Sequence, residues 1–370
     1  MLKSLKFMAV LSLLVVCPTL IGLGWWQRDY LLGWYLTRNL LHAQGPEKNS
    51  CLESLARLGE NAQFPLLDHL DQAQPTQARD LVQALAKLID SWGGLSSPPS
   101  SRCLSRLTLR FSGFSNSAQA EVLRQVFAWI PRDQPEKSLP LLGESTRLML
   151  GEAIHRGNPE AMEPALEIAR KLAPVASNEM KTRLHEVTRH VLDKGSSELK
   201  IKAIQWTLVN GIGEIPQIAN CLQDRSAEVR RAAMIACAPA LEQVSVDNLL
   251  PSLHDADPET RSLCEAALIA RGLKPEQIRL GKLLTDPAAT RRLQVLDSLL
   301  EDPDIDASVW LRKLSHDPSP AVRVAALRVM SNLETVDLSD RMDQMARSDP
   351  NQTVAILADY YLRSTRLRSR

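Results

Sequence analysis

Two histidines in one short segment are the first residues whose types and spacing could hold a metal. His185 and His190 flank Glu186 in an order like that of a helical zinc site, in which two histidines four residues apart share one face. Here the spacing is five residues, and five helical steps of about 100° turn the two side chains roughly 140° apart. The segment therefore predicts a solvated helix face without a metal.

The six cysteines offer no recognisable site either. No pair has the Cys-x-x-Cys spacing of zinc or redox sites, and Cys237 and Cys264 fall at apolar positions of a repeat described below. An antiparallel hairpin would hold Cys221 and Cys237 too far apart for a disulfide. Whether Cys51 and Cys103 pair is left open by the sequence.

Phosphate-binding loops and catalytic groups are not predicted. The segment Gly211-Ile-Gly-Glu lacks the third glycine and the preceding strand of a dinucleotide site, so we interpret it as a helix connector. Scattered Ser, His and Asp residues show no spacing that indicates an active site. We therefore predict no catalytic residue, no metal ligand, no cofactor and no small-molecule substrate.

The charge balance argues against nucleic acid as a partner. The chain carries 44 Lys and Arg against 43 Asp and Glu, a formal charge of +1. Such a chain has no global field to attract phosphates. A local excess of arginine occurs at the C-terminus, which we interpret as a solvated end. Its members are Arg363, Arg366, Arg368 and Arg370.

The N-terminus has the pattern of a membrane anchor. Lys3 and Lys6 precede an uncharged run from Phe7 to Trp26. In a helix, about 20 residues span roughly 30 Å, the thickness of the hydrocarbon core of a bilayer. We therefore predict an N-terminal transmembrane helix.

Aromatic residues near the end of this run favour an uncleaved anchor. Trp25, Trp26 and Trp34 lie where amphipathic rings prefer the membrane–water interface. The lysines before the run favour a single-pass protein with an extracytoplasmic body. The alternative is a long signal peptide, whose cleavage would leave a secreted protein.

Regularly spaced arginines indicate the elements that organise the rest of the chain. Four arginines follow one another at intervals of 31 residues, namely Arg230, Arg261, Arg292 and Arg323. The residues three and seven positions after each arginine are apolar, and so are those twelve positions before it. Offsets of three and seven share one face of a helix, and the third column belongs to the preceding helix. The pattern predicts a series of helical hairpins.

The apolar columns extend this series to five hairpins. The column before the arginines is Ile218, Leu249, Leu280 and Leu311, continued by Met342. The column three residues after them is Ala233, Cys264, Val295 and Ala326, continued by Leu357. The column seven residues after them is Cys237, Leu268, Leu299 and Met330, continued by Tyr361. Because strand signals are nearly absent, we predict an all-α fold.

Aspartates mark the turn inside each hairpin. Four are followed by proline, in Asp257-Pro258, Asp286-Pro287, Asp317-Pro318 and Asp349-Pro350, and the first hairpin has Gln223-Asp224-Arg225. An Asp can cap the free amides of a starting helix, and Pro suits the first helical position. We predict that these dipeptides start the second helices.

Over about residues 215–362 the pattern resembles the HEAT repeat family. An apolar first helix, an Asp-containing turn and a Val-Arg or Thr-Arg that opens an Ala-rich second helix recur, as in 224–233 and 317–326. The resemblance implies an α–α superhelix, a solenoid of stacked hairpins. It also implies that turn aspartates and the arginines form a structural ladder between neighbouring units: Asp224, Arg230, Asp255, Arg261, Asp286, Arg292, Asp317 and Arg323. Val354 replaces the arginine in the last unit, as befits a terminal repeat.

The upstream half also resembles HEAT hairpins, without a fixed period. Residues 55–70 look like a hairpin turn with a following helix over 77–89, and residues 92–101 form the most loop-like internal stretch. Further helices are predicted near 102–111, 118–130, 145–156, 160–172, 178–193 and 198–209. The predicted domains are an anchor with a juxtamembrane helix over 1–44, degenerate repeats over 45–200 and regular repeats over 201–370.

The function predicted from these features is a membrane-tethered scaffold for protein–protein interaction, without catalysis of its own. One alternative is a lyase-type enzyme, as in the HEAT-like phycobilin lyases that handle a bilin and its carrier protein. The other is a nucleic-acid-binding solenoid, as in HEAT-like glycosylases that grip DNA. The fold class alone supports the first alternative, and the charge of +1 weighs against the second.

Overall fold

The structure is a computed structural model that describes residues 28–131, 134–211, 214–301, 305–333 and 337–368. Within these ranges the chain consists of helices and connecting turns, with no strand. The predicted all-α class is therefore confirmed. The described residues divide into two compact units, with the boundary between Gln217 and Ile218.

The first unit contains ten helices among its described residues. They are α1 over 28–42, α2 (Pro46–Arg57), α3 (Gln63–Leu70), α4 (Pro75–Ser91), α5 (Pro98–Arg110), α6 (Asn116–Trp129), α7 (Leu139–Arg156), α8 (Pro159–Leu172), α9 (Asn178–Lys194) and α10 (Ser197–Asn210), with short 3₁₀ turns between some of them. Every helix predicted upstream of the regular repeat is present, with ends within two residues of the predicted ones except that α5 begins four residues earlier and α7 six residues earlier than predicted.

Local capping explains where these helices begin. Serine side chains at Ser97, Ser115, Ser177 and Ser196 accept the backbone N–H three residues on, which satisfies one of the exposed amides of a helix start. Ser97 begins α5 inside the stretch predicted as loop, so that prediction is wrong for residues 98–101.

The helices of the first unit pack in two alternating series. Helices α4, α6, α8 and α10 contact one another in order, and helices α3, α5, α7 and α9 do the same. Neighbours from the two series share one apolar core, which extends from Leu40 to Val187. Each helix therefore buries one face against helices of the other series and packs side by side with helices of its own series.

The second unit contains the regular repeat. Its described helices are α11 (Ile215–Asn220), which crosses the boundary, α12 (Ala227–Cys237), α13 (Val246–Leu249), α14 (Pro258–Ala270), α15 (Pro275–Leu284), α16 (Ala289–Glu301), α17 (Ala307–Leu314), α18 (Pro320–Asn332), α19 (Ser339–Ser348) and α20 (Gln352–Arg368). Helices α15, α17 and α19 pack on α16, α18 and α20 respectively, which makes each pair a hairpin.

The apolar columns of the first four hairpins are buried throughout. Leu280 and Leu311 are fully buried, and every other member of the three columns up to Met342 is at most 4% exposed. The fifth hairpin differs, because Leu357 and Tyr361 are only half-buried while Ala358 and Leu362 occupy the core. One extra residue between Met342 and Asp349 shifts this helix, so the predicted register is wrong there and Ala355 takes the place assigned to Val354.

The Asp-Pro dipeptides have a different role from the predicted one in three of four hairpins. Asp257 caps α14 and Pro258 begins it. Asp286, Asp317 and Asp349 instead lie before their helices and accept the backbone N–H two residues on, at 2.7–2.9 Å. These carboxylates close the turn between the helices, and the second helix begins after it.

The predicted anchor lies mostly outside the described residues. Among the residues that the structure describes, no helix is both long and apolar enough to cross a membrane. Trp25, Trp26 and the run from Phe7 are not among them. Trp34 lies on α1 with 43% of its surface exposed, and α1 is attached to the first unit by Leu40, which is fully buried.

Candidate functional site

Three arginines of the repeat join the turns of successive hairpins. The Nε and Nη2 groups of Arg292 donate to the two carboxylate oxygens of Asp317 at 2.7 and 2.9 Å. Arg230 makes the same paired bonds to Asp255, both at 2.7 Å. Arg323 makes them to Asp349 at 2.9 and 2.7 Å. Two-bond contacts of this kind fix both distance and orientation.

Each of these guanidinium groups also bonds to the turn of its own hairpin. Nη1 donates to the carbonyl oxygen six residues earlier at 2.8 Å in Arg230, Arg292 and Arg323 alike. A second carbonyl, five residues earlier, accepts from the same Nη1 at 2.9–3.3 Å. One side chain therefore satisfies free carbonyls of one turn and holds the carboxylate of the next.

The fourth arginine of the predicted ladder is joined only to its own turn. Arg261 donates to the carbonyls of Asp255 and Ala256 at 2.7 and 3.0 Å, and no ion pair connects it with Asp286 in the described part of the chain. The nearest cation to Asp286 is Arg291, at 3.8 Å. Asp224 accepts the N–H of Ser226 at 2.9 Å.

Asp349 is a ladder residue that the predicted set omitted. It follows Arg323 by 26 residues, whereas the other pairs are 25 apart, because the last hairpin contains one extra residue. The Asp349-Pro350 dipeptide was the signal that could have identified it. The partner of each arginine is therefore the aspartate of the next turn, even where that aspartate lies one residue away from the 31-residue period.

Burial and pairing shift the pKa values of the ladder groups. Burial raises the pKa of the carboxyls of Asp255 and Asp349, but the hydrogen bonds from Arg230 and Arg323, a backbone hydrogen bond to each carboxylate and the nearby arginine charges together lower both values below the usual one. The hydrogen bonds that Arg230 and Arg292 donate to Asp255 and Asp317 raise the pKa of the two guanidinium groups. All of these groups are therefore charged at neutral pH.

The histidine pair on α9 forms no metal centre. No group of three His, Cys, Asp or Glu residues suited to a metal ion occurs in the described ranges. His190 lines a cavity of about 10 Å³ with Ala153 and Met162, and its Nε2 finds no hydrogen-bond partner among the described residues. Burial lowers its pKa. The predicted solvated face is therefore wrong for His190, which is half-buried.

Four cysteines in the described part of the chain are thiols outside any disulfide. Cys51, Cys103, Cys237 and Cys264 are free, so the open question about a Cys51–Cys103 disulfide is answered in the negative. Burial raises the pKa of Cys103 and Cys264 to about 12 and that of Cys237 to about 11. The thiolate is the reactive form, so these groups are inert.

A polar groove opens beside the last two turns of the ladder. Its volume is about 440 Å³, and its wall includes Ser315, His316, Pro318, Arg341, Gln344 and Pro350. We call it the Arg341 groove. Only 7% of the surface of Arg341 is exposed, whereas His316, Gln344 and both prolines are exposed.

Neutral groups hold the Arg341 side chain in place. Ser315 accepts from Nε through its hydroxyl at 2.7 Å and from Nη2 through its carbonyl at 2.9 Å. Gln344 Oε1 accepts from Nη1 at 2.6 Å, and His316 Nδ1 lies 3.2 Å from Nη2. A guanidinium has no acceptor, so this Nδ1 must be unprotonated.

Comparison with known proteins assigns no family. A scan against protein-family models gives no match, and a search of curated proteins gives none. The functional conclusion therefore comes from the residues and geometry of this chain.

Proposed function

We propose that the chain is a HEAT-like helical-repeat scaffold that binds another protein and is held at a membrane by its N-terminal segment. The main support is that Arg230, Arg292 and Arg323 join the turns of neighbouring hairpins. Hairpins linked in this way cover one another's apolar faces and leave an extended surface that suits a macromolecular partner.

Exposed apolar side chains on the second helices support a protein partner. They occur on α12, α14, α16 and α20, and each is more than half exposed: Ile235, Ile269, Leu300, Ile356 and Tyr360. Together they place large apolar groups on the helices of one series, which is a composition that favours contact with protein.

The sequence and α1 support the tether. The uncharged run from Phe7 to Trp26 has the length of a membrane span, and the helix that follows exposes Leu31, Trp34 and Tyr35. Lys3 and Lys6 favour a cytoplasmic N-terminus, which would put the body on the other side of the membrane.

Photo-crosslinking in membranes tests the scaffold. A photoreactive residue in place of Ile269 is expected to capture a discrete partner, because this side chain is 59% exposed on α14. The same residue in place of Lys282, which is exposed on α15 in the other series, is the matched control. Failure to capture any protein reproducibly from Ile269 would count against the scaffold.

Protease accessibility tests the tether and its direction. Intact cells and cells with an opened outer barrier are treated with protease, and the membrane fraction is blotted for the full-length chain. We expect a membrane-bound chain that is cleaved only after the outer barrier is opened. A shortened soluble chain would indicate a cleaved signal peptide, and protection until the inner membrane breaks would reverse the orientation.

A further inference from the structure

The positive charge of Arg341 has no carboxylate partner among the described residues. Its side-chain hydrogen bonds go to Ser315, Gln344 and His316, none of which carries a negative charge. Burial lowers the pKa of Arg341, which reflects the cost of keeping the cation away from water. A buried charge in this position usually has a counter-ion.

The two carboxylates whose charges act on Arg341, Asp349 and Asp340, are each paired with another arginine. Asp317 and Asp349 line the groove, but they accept paired bonds from Arg292 and Arg323. Outside the groove, Asp340 accepts from Arg312 at 3.1 Å. Arg341 therefore has no described carboxylate as a hydrogen-bond partner, and the attraction of Asp349 and Asp340 offsets the cost of its burial only in part.

The repeat shows that packing does not require an arginine here. One repeat earlier, the position of Arg341 holds Trp310, which is 8% exposed and part of the apolar core. The position of Ser315 holds Leu284, which packs against the same core. The junction of the last two hairpins therefore holds a buried cation and a hydroxyl where the preceding junction holds an apolar pair, a change that costs desolvation free energy and forms no direct ion pair in the described part of the chain.

We propose that the Arg341 groove binds a carboxylate of an acidic peptide segment in the protein partner, with Arg341 as the anion-binding group. This inference rests on the proposed scaffold function and names the chemistry of one contact. The groove volume of about 440 Å³ lies in the range of roughly 300–1,000 Å³ that holds small ligands and peptide side chains. Nε and Nη2 are occupied by Ser315 and His316, but Nη1 makes a single bond, to Gln344, so its second N–H can donate to a carboxylate in the groove.

The other groups in the groove fit a peptide better than a bare ion. The exposed rings of Pro318 and Pro350 provide apolar walls for the aliphatic part of a chain. Gln344 bonds to Arg341 through Oε1, so its amide nitrogen can donate to the ligand. His316 donates from Nε2 because its Nδ1 accepts from Arg341.

Fluorescence anisotropy with the purified full-length chain in detergent tests this site. The probe is a short labelled peptide of alternating Glu and Gly with an amidated C-terminus, and its Gln counterpart is the uncharged control. We expect saturable binding of the Glu peptide alone. Arg341→Met should weaken it about tenfold or more, as loss of one hydrogen bond to a charged group does.

Two further variants separate binding from folding and from general charge. Arg347→Met removes an exposed cation from the same helix, where it pairs with Asp343, and should leave the affinity unchanged. His316→Glu puts a carboxylate at the exposed rim of the groove, where it can occupy Arg341 without disturbing the core, and should abolish binding. Equal losses in Arg341→Met and Arg347→Met would overturn the proposal, and so would unchanged binding in His316→Glu.

Two more probes identify the source of the anion. A neutral peptide with a free C-terminal carboxylate that binds with the same dependence on Arg341 would assign the site to a chain end instead of acidic side chains. Inorganic phosphate that displaces the Glu peptide at equal concentration would mean a small-anion site and would overturn the peptide assignment. If no peptide binds but Ile269 still crosslinks to a partner, this inference fails and the scaffold proposal stands.

Discussion

Arg292 and Arg261 occupy the same position of two successive hairpins but have different partners. Both bond to two carbonyls of their own turn, whereas only Arg292 holds a carboxylate, Asp317, whose side chain is 3% exposed. Removing one partner of a buried pair leaves an uncompensated charge. The two positions therefore form a matched pair for measuring what one ladder bond contributes.

We expect Arg292→Met to lower the free energy of unfolding by about 3–5 kcal/mol. Arg261→Met should lower the free energy of unfolding clearly less, because no carboxylate in the described part of the chain loses its partner. Urea titration followed by circular dichroism measures both. Equal losses in the two variants would mean that the carboxylate bond contributes little beyond the carbonyl contacts.

The buried thiols should resist alkylation in the folded chain. Cys103, Cys237 and Cys264 are buried and have a raised thiol pKa, so little thiolate is present at neutral pH. Cys51 is only half-buried and should react first with iodoacetamide. Peptide mass spectrometry before and after denaturation checks this order. Fast labelling of Cys264 in the native chain would contradict its burial.

Acid should weaken the second unit through the ladder aspartates. A carboxyl whose folded pKa is depressed contributes stability above its unfolded pKa of about 3.9, and that contribution is lost as the pH falls through the folded value. Asp255 and Asp349 are such groups. We therefore expect a lower urea midpoint at pH 3 than at pH 7.

Asp255→Asn is the control for the acid effect. The variant lacks the carboxylate that Arg230 holds, so its urea midpoint should be lower than that of the wild type at pH 7. Because no group titrates at this position, the midpoint should also fall less on acidification. An unchanged drop between the two pH values would show that other groups cause the acid sensitivity.

At the scale of the helix, Leu280 is the clearest test of the repeat columns. It is fully buried on α15 and belongs to the core of the later hairpins. Leu280→Ala should cost about 2–5 kcal/mol, and because neighbouring hairpins share this core they should loosen together. Leu300→Ala on α16, where the side chain is 61% exposed, is the control and should be nearly neutral. An unaltered melting curve for Leu280→Ala would contradict its core position.

Helices could be predicted from the sequence because each has its own periodic apolar face. The prediction of the columns succeeded from Ile218 to Met342 for this reason. It failed at Leu357 because a fixed period cannot reveal one extra residue inside a turn. The start of α5 was missed because Pro98 and Ser97 resemble a loop until the serine is seen as a cap.

The Arg341 groove could not be predicted because its parts come from separate segments. Ser315 and His316 follow the first helix of one hairpin, α17, and Arg341 lies in the next hairpin, where the sequence shows only a polar residue on a helix. Its burial and its lack of a carboxylate depend on how the hairpins pack. The ladder arginines, in contrast, repeat at a constant spacing and were recognisable for that reason.

At the scale of the whole molecule, the first 27 residues should decide where the chain is found. Deleting residues 1–27 is expected to move the chain from the membrane fraction to the soluble one, since this removes the uncharged run. Leu13→Arg combined with Leu14→Arg should have the same effect through charge alone. A membrane-bound deletion variant, detected by immunoblot after carbonate extraction, would place the attachment elsewhere.

The missing carboxylate bond between Arg261 and Asp286 has a mechanical meaning. Under tension along the chain, an array of hairpins yields first at the junction with the fewest bonds in parallel. The junctions spanned by Arg230, Arg292 and Arg323 each hold an arginine–carboxylate pair with two hydrogen bonds, while the junction after Arg261 has no such pair among the described residues and is crossed by the contact of His254 with the Lys282 carbonyl and by the exposed ion pair of Lys313 and Asp247. When the second unit is pulled from its ends, the second and third hairpins should therefore separate first.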